Sequence, residues 1–240
     1  MKLNSILFIH IPRTGGTHLE KLLGFKGHDS PPRCGSAGYG ANYEEIMGWD
    51  QRTGKMLQHL SYRELVELNF ICPDNDLFKL AIIRNPYQRA VSLYKYFGGS
   101  FKWGDYLSFL QHLQGNLAEE YFYRSQYEYV FYLGTNQMNE IIRFENYVKD
   151  LARIKESKKL NIEVKFDTSR QSKQEQDYFN LYYHNNPAAI EAVNKIYEKD
   201  FEHFGYKKLE TIKTVFSPIQ ITTTLPASIK KKSGKSGLNK

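Results

Sequence analysis

Short apolar runs alternate along this chain with segments whose apolar residues recur every three or four positions. Residues 6–11 (ILFIHI) are apolar almost throughout, the composition of a strand covered on both faces. Leu19, Leu22 and Leu23 follow at helical spacing, with Pro12-Arg13-Thr14-Gly15-Gly16-Thr17 between the two patterns. Residues 76–83 (DLFKLAII) repeat the strand pattern. After Pro86, which suits the first turn of a helix, Ala90, Val91, Tyr94 and Phe97 set a helical period. Residues 139–144 (NEIIRF) predict a third strand, with its helix over 145–155. Further helices are predicted over 103–114 and over 188–204, the latter from Ile190, Val193, Ile196, Tyr197 and Phe201. Ser61 and Glu64 make a capping box, so another helix starts near Tyr62, with His59 just before it at the end of a short extended piece.

Elsewhere the pattern loosens. Residues 25–55 carry two prolines and several glycines without a sustained period and read as a long loop with short helical turns. The stretch 121–133 (YFYRSQYEYVFYL) is unusually aromatic; it reads as core packing with hydroxyls at the surface, with the wall of a binding cleft as the alternative. Arg124 and Gln126 within it are candidates for reaching a ligand. Residues 165–173 form a polar loop, and from about Leu209 onward no period is visible. The expected organisation is one domain over 1–207 and a basic, partly disordered extension over 208–240.

Composition narrows the function classes. Hydrophobic content of 41% and charged content of 25% are those of a globular protein able to bury a sizeable core. The first strand begins close to Met1, leaving no room for a cleavable leader, and no apolar stretch approaches 18 residues. Only Cys34 and Cys72 occur, without a CxxC or a Cys/His cluster, so two reduced thiols in a cytoplasmic protein are expected, and no metal site. The net charge is +7, but Lys230, Lys231, Lys232, Lys235 and Lys240 supply five of those positives. The remaining excess of about +2 argues against a nucleic-acid surface and fits a small polyanion.

The turn at 12–17 is where such an anion would sit. Its glycines let the backbone approach, the first N–H groups of the following helix point at the ligand, and Arg13, Thr14 and Thr17 add one cation and two hydroxyls. It is not the triphosphate loop GxxxxGK[ST], because no Lys-Ser or Lys-Thr pair closes it. A second candidate site follows the strand at 76–83, where Arg84 offers a planar fork of donors and Ser92 a hydroxyl. Arg89 between them reads as a surface ion pair. Two strand-to-helix anion sites about 70 residues apart suit one ligand with phosphates at both ends. ATP would need one cradle and an acidic magnesium site, and no carboxylate stands beside Arg84.

FIHIPRTGGT (residues 8–17) resembles the 5′-phosphosulfate loop of the sulfotransferases, usually FIHIPKTGGT in the branch that sulfates glycans; Arg13 stands where that branch has Lys. IIRNPYQRAVSLYKYF is similar to the second nucleotide motif of the family, RxPxxRxxSxY. IIRFENYVKDL resembles the segment VLRFENL, and YEKDFEHFGY resembles the closing helix. The resemblance spans roughly residues 4–207. It implies an α/β, P-loop-type three-layer fold with a central parallel sheet flanked by helices. It further implies 3′-phosphoadenosine 5′-phosphosulfate (PAPS) as co-substrate, with Arg13, Thr14, Gly15, Gly16, Thr17 and His18 at its 5′ end. Arg84 and Ser92 would take the 3′-phosphate. Family loops in the region of Ser169 and Arg170 reach back toward the nucleotide, which makes those two further candidates.

His59 occupies the place of the family's catalytic base, and imidazole suits the task because its ordinary pKa of about 6.5 lies near working pH. The implied reaction is in-line sulfuryl transfer to a hydroxyl on a glycan, glycolipid or small metabolite, with Arg13 beside the leaving oxygen and no metal. Arginine keeps the charge of the usual Lys but is a far poorer proton donor. Two other readings stay open at this level: a kinase-like phosphotransferase, and a non-catalytic nucleotide- or glycan-binding protein.

Overall fold

The computed structural model describes residues 6–25, 42, 45–118, 120–158 and 178–210. Three parallel strands form its centre: β1 (Ile6–Ile9), β4 (Phe78–Ile83) and β7 (Glu140–Arg143), in the spatial order β1-β4-β7. In register, Ile6 lies opposite Phe78 and Ile9 opposite Ala81, while Leu80 pairs with Glu140 and Ile83 with Arg143. Because all three run the same way, their C-terminal ends open on one edge, where ligands of parallel α/β sheets bind.

The pleat sends alternate residues to opposite faces. On one face Ile6, Phe8, Leu80, Ile82 and Ile142 pack against α1 (Gly16–Leu22) and α7 (Tyr147–Lys158) through Leu19, Leu23, Leu151 and Ile154. On the other face Leu7, Ile9, Ala81 and Ile83 meet α2 (Tyr62–Glu67), α6 (Gln126–Val130) and α9 (Glu198–Phe204). This is the expected α/β, three-layer arrangement, consistent with a P-loop-type fold. A third apolar cluster joins α3 (Pro86–Tyr96), α5 (Tyr106–Gly115) and α8 (Pro187–Ile196), with α4 (Gly99–Trp103) beside it. Two short antiparallel hairpins lie outside the central sheet: β2 (Trp49–Asp50) with β3 (Lys55–Met56), and β5 (Phe131–Tyr132) with β6 (Thr135–Asn136). Among the described residues no helix is long and apolar enough to cross a membrane.

Local chemistry sets several boundaries. Ser61 caps α2 with the anticipated box, its hydroxyl accepting from Glu64 N–H while Glu64 accepts from Ser61 N–H. The helix expected over 103–114 is α5 and starts later, at Tyr106, because Trp103 ends α4, Gly104 (φ +74°) turns the backbone and Asp105 caps α5. The helix expected over 188–204 is likewise two, α8 and α9, interrupted at Tyr197. The third strand gives way at Phe144 to a 3₁₀ turn (Phe144–Asn146) before α7 begins.

The junction between α8 and α9 places Asp200 in full burial, where its carboxylate accepts from Gln126 Nε2 (3.1 Å) and Tyr127 N–H (2.8 Å). Burial raises its pKa, opposed first by the nearby charge of Arg89 and then by these hydrogen bonds. Replacing Asp200 with Ala leaves two buried donors without their acceptor. The expected cost is about 3 kcal/mol, a fall in Tm of roughly 5–10 °C, read by thermal unfolding. An unchanged Tm would show that this carboxylate does not hold α6 to α9.

Candidate functional site

The first loop leaves β1 at His10 and enters α1 at Gly16. Its backbone is forced: Arg13 has φ +68° and Gly15 φ +91°, values that L side chains seldom adopt. Position 15 excludes a side chain on packing grounds as well, since a Cβ there would lie 2.9 Å from the Phe144 ring. A Cβ at position 16 would lie 2.2 Å from the His10 ring. Thr14 departs from the expectation of a ligand-facing hydroxyl. It is fully buried and its Oγ1 donates to Ile11 C=O (2.8 Å), so it stiffens the turn from inside. The His18 side chain also turns elsewhere: its Nδ1 lies 3.0 Å from the Tyr147 hydroxyl, tying α1 to α7. Thr17 is exposed at the start of α1.

The second loop follows β4. Asn85 caps α3 through its side chain, accepting from Tyr87 N–H, and Pro86 takes the first helical position as expected. Asn85 N–H donates to Glu145 Oε1 (2.5 Å), and Tyr206 donates to the other oxygen of that carboxylate (3.0 Å). Gln126, considered above for contact with a ligand, is instead fully buried. Its amide accepts from Arg84 N–H and donates to Arg84 C=O, both at 2.8 Å.

These two loops meet. Arg13 Nε donates to Ser92 Oγ (3.1 Å), and its guanidinium lies 4.6 Å above the Tyr96 ring. Arg84 stacks 4.3 Å above Phe144 and its Nη1 reaches Arg13 C=O (3.5 Å). Burial lowers the Arg13 guanidinium's pKa, with Tyr96 opposing. Two cations and a hydroxyl from distant parts of the sequence are thus gathered at one sheet edge, with Phe144 packed against both loops.

Arg89 is not the surface ion pair that its sequence context suggests. It is fully buried, and its guanidinium donates to three carbonyls: Pro12 (3.0 Å), Arg124 (2.9 Å) and Phe122 (3.0 Å). It therefore fastens the first loop to the aromatic segment.

His59 closes a 3₁₀ turn, Leu57–His59, rather than an extended piece. Its Nδ1 lies 3.2 Å from His10 C=O, and a carbonyl only accepts, so the proton sits on Nδ1. Nε2 is then the basic nitrogen, with the Gln58 amide 3.4 Å away. The ring packs among Tyr121 (5.7 Å), Phe122 (5.3 Å) and His10 (4.8 Å between centroids). A cleft of about 350 Å³ opens beside it, lined by Trp49, Met56, His59, Glu64, Tyr121 and Arg124. The aromatic segment thus divides between both readings given above: Tyr123, Tyr129 and Val130 are core, while Tyr121 is a cleft wall. Burial, with Glu120 nearby, pushes the Tyr121 hydroxyl up to about 12, so it stays protonated.

Trp49, 41% exposed at the cleft, was not legible as a site residue. Its hairpin is built on Asp50, whose carboxylate accepts from Arg52 N–H, Thr53 N–H and the Thr53 hydroxyl. Asp50 followed by Gly54 (φ +64°) was the available turn signal. A larger opening of about 680 Å³ lies against α3 and α5, but none of the converging residues lines it. Among the described residues no group of three or more His, Cys, Asp or Glu could hold a metal ion. Ser169, Arg170 and Cys34 fall outside the described residues, as does most of the extension after 207.

Residues 2–207 match the model of the sulfotransferase family. The chain belongs to that family. No curated protein and no solved structure matches it in two further comparisons. Membership makes the chain a sulfotransferase, an enzyme of phosphosulfate chemistry with a hydroxyl-bearing acceptor, and decides among the three readings left open by the residues alone.

Glu64 lines the cleft beside His59, paired with Lys55 (2.9 Å) and Arg124 (3.0 Å). Burial acts to raise its carboxyl, but the Ser61 N–H and the two cations outweigh it and bring the pKa down to about 2. The folded value is depressed, so the stabilisation is complete above about pH 4.5 and is lost as pH falls toward 2. Glu64→Gln should therefore cost about 2–3 kcal/mol at pH 6, a gap that narrows as the pH is lowered through 4. Denaturant unfolding of both proteins across that range is the check, and a gap independent of pH would contradict the assignment.

Proposed function

We propose that the enzyme transfers the sulfuryl group of PAPS to an acceptor hydroxyl on a carbohydrate. One observation carries this reading: residues 13, 84 and 92, from two loops far apart in sequence, converge on one sheet edge, with Arg13 bonded directly to Ser92. A ligand with phosphates at two ends is matched by two such loops side by side, since the first offers Arg13 with the amides of residues 15–17 and the second offers Arg84 and Ser92. PAPS supplies the sulfuryl group, and adenosine 3′,5′-bisphosphate (PAP) is the product.

In this scheme the acceptor hydroxyl lies in the cleft beside His59 and gives its proton to Nε2 as its oxygen attacks sulfur. The sulfur–oxygen bond to the 5′-phosphate breaks on the opposite side. Arg13 and the loop amides hold that phosphate and offset the charge growing on it, so positioning and charge stabilisation carry most of the effect. Arg13 acts through charge and hydrogen bonds rather than by giving up a proton. Trp49 and Tyr121 suit a sugar, whose C–H faces stack on aromatic rings and whose hydroxyls pair with a phenol. A reducing, cytoplasmic setting fits Cys72, an exposed free thiol.

Two substitutions test the two halves of the scheme. His59→Ala should lower sulfuryl transfer at least 100-fold, in line with loss of a general base, while calorimetry finds PAP affinity within about threefold. Transfer at the original rate would remove His59 from the mechanism. Arg84→Ala should weaken PAP about 10- to 100-fold, the scale of one charge-assisted bidentate contact. Adenosine 5′-phosphate, which lacks the 3′-phosphate, should be weakened far less. Equal weakening of both would place Arg84 elsewhere on the ligand.

A further inference from the structure

Beneath the donor loop lies a buried acid–imidazole pair that the scheme above does not use. Glu20 is 1% exposed and His10 4% exposed, and Glu20 Oε1 lies 2.8 Å from His10 Nδ1. With the Glu20 carboxyl as acceptor, His10 Nδ1 is the donor, and the His10 ring is held by that bond. Phe8 stacks on one side of this ring at 5.6 Å, and Gly16 presses on its edge so closely that no side chain fits there. The ring also meets His59, edge-on at 4.8 Å and 62°. His10 also supplies the carbonyl that receives His59 Nδ1–H. His10 therefore touches the His59 imidazole twice, with its ring and with its carbonyl, and is itself held by a carboxylate on α1.

We propose that Glu20 and His10 are positioning residues that hold His59 with its proton on Nδ1, which makes Nε2 the basic nitrogen. This deepens the reading of His59 as the base and rests on it. Glu20 stands on the helix whose first turn borders the donor's 5′ end, so one rigid unit sets the loop and, through His10, the base. What the pair needs from position 20 is an acceptor oxygen at the His10 ring. A glutamine retains such an oxygen, whereas a leucine of similar volume does not.

Histidine-labelled full-length protein at pH 8, where a free imidazole is neutral, tests this by ¹⁵N spectra that distinguish the two tautomers. The parent should show His59 as a single Nδ1–H tautomer, and Glu20→Gln should keep it. Glu20→Leu should show both tautomers, with release of PAP from PAPS lowered at least tenfold and PAP affinity changed less than threefold. Glu20→Gln should stay within about threefold of the parent in turnover. The proposal is overturned if Glu20→Leu leaves the His59 spectrum and turnover unchanged. It is equally overturned if Glu20→Gln folds with the parent's Tm yet loses turnover, an outcome that does not depend on whether the leucine variant folds. The tautomer spectra need neither donor nor acceptor. Failure of PAP to bind the parent would sink the donor assignment, whereas an Nε2–H tautomer in the parent would sink this one.

Discussion

One buried guanidinium holds the two halves of the site together. Arg89 gives its donors to the carbonyls of Pro12, Phe122 and Arg124, so the loop at the end of β1 and the aromatic segment that walls the cleft share a fastener on α3. A buried cation is costly unless its donors are satisfied, and three carbonyls aimed at one side chain meet much of that demand. Tyr197 adds a ring at 5.4 Å, and Asp200 adds a compensating charge. Planarity matters here, because a fork of fixed geometry reaches three acceptors that a lysine could not. Arg89 thus ties the loop at residues 12–17 directly to a wall of the cleft beside His59.

The same economy appears at the sheet edge. Arg84 is fixed through its own backbone by the Gln126 amide, and Asn85 by Glu145. Both second-loop residues are therefore oriented by side chains from later in the chain, and the Arg84 guanidinium meets Gln88 Oε1, the Phe144 ring and the carbonyl of Arg13. Phe144 in turn limits position 15 to glycine. The strand ends bring three loops to one edge, and these polar and aromatic contacts give them a mutual geometry that parallel pairing alone does not specify.

Much of this was legible in the sequence where it depended on local pattern. The three strands were, because short runs rich in Ile and Leu have few other uses, and so were the Ser61 box and the Pro86 start, because caps act within four residues. The helix breaks at Gly104 and Tyr197 were obscured by apolar periodicity that continues across them. Arg89 was misjudged, and the inward turn of Gln126 and of the Thr14 hydroxyl went unseen, for a common reason. A polar residue near a motif looks ligand-facing or solvated, and only the tertiary structure shows that its partners are backbone carbonyls and amides buried with it. The Trp49 hairpin was hidden for the opposite reason, being too short to set any period.

The arrangement at the end of β1 explains why position 13 tolerates an arginine. A left-handed residue at 13 followed by another at 15 turns the chain tightly enough that Thr14 can close on Ile11 from within. The side chain at 13 then leaves the turn toward α3, where the long guanidinium finds the Ser92 hydroxyl and the Tyr96 face. A lysine there would present a compact ammonium, whereas arginine spans both loops and keeps several donors in one plane. Strain in the turn and the reach of the side chain are therefore coupled. The loop conformation costs about 1–3 kcal/mol at a non-glycine residue of this kind, and the contacts that Arg13 makes across to α3 oppose its relaxation.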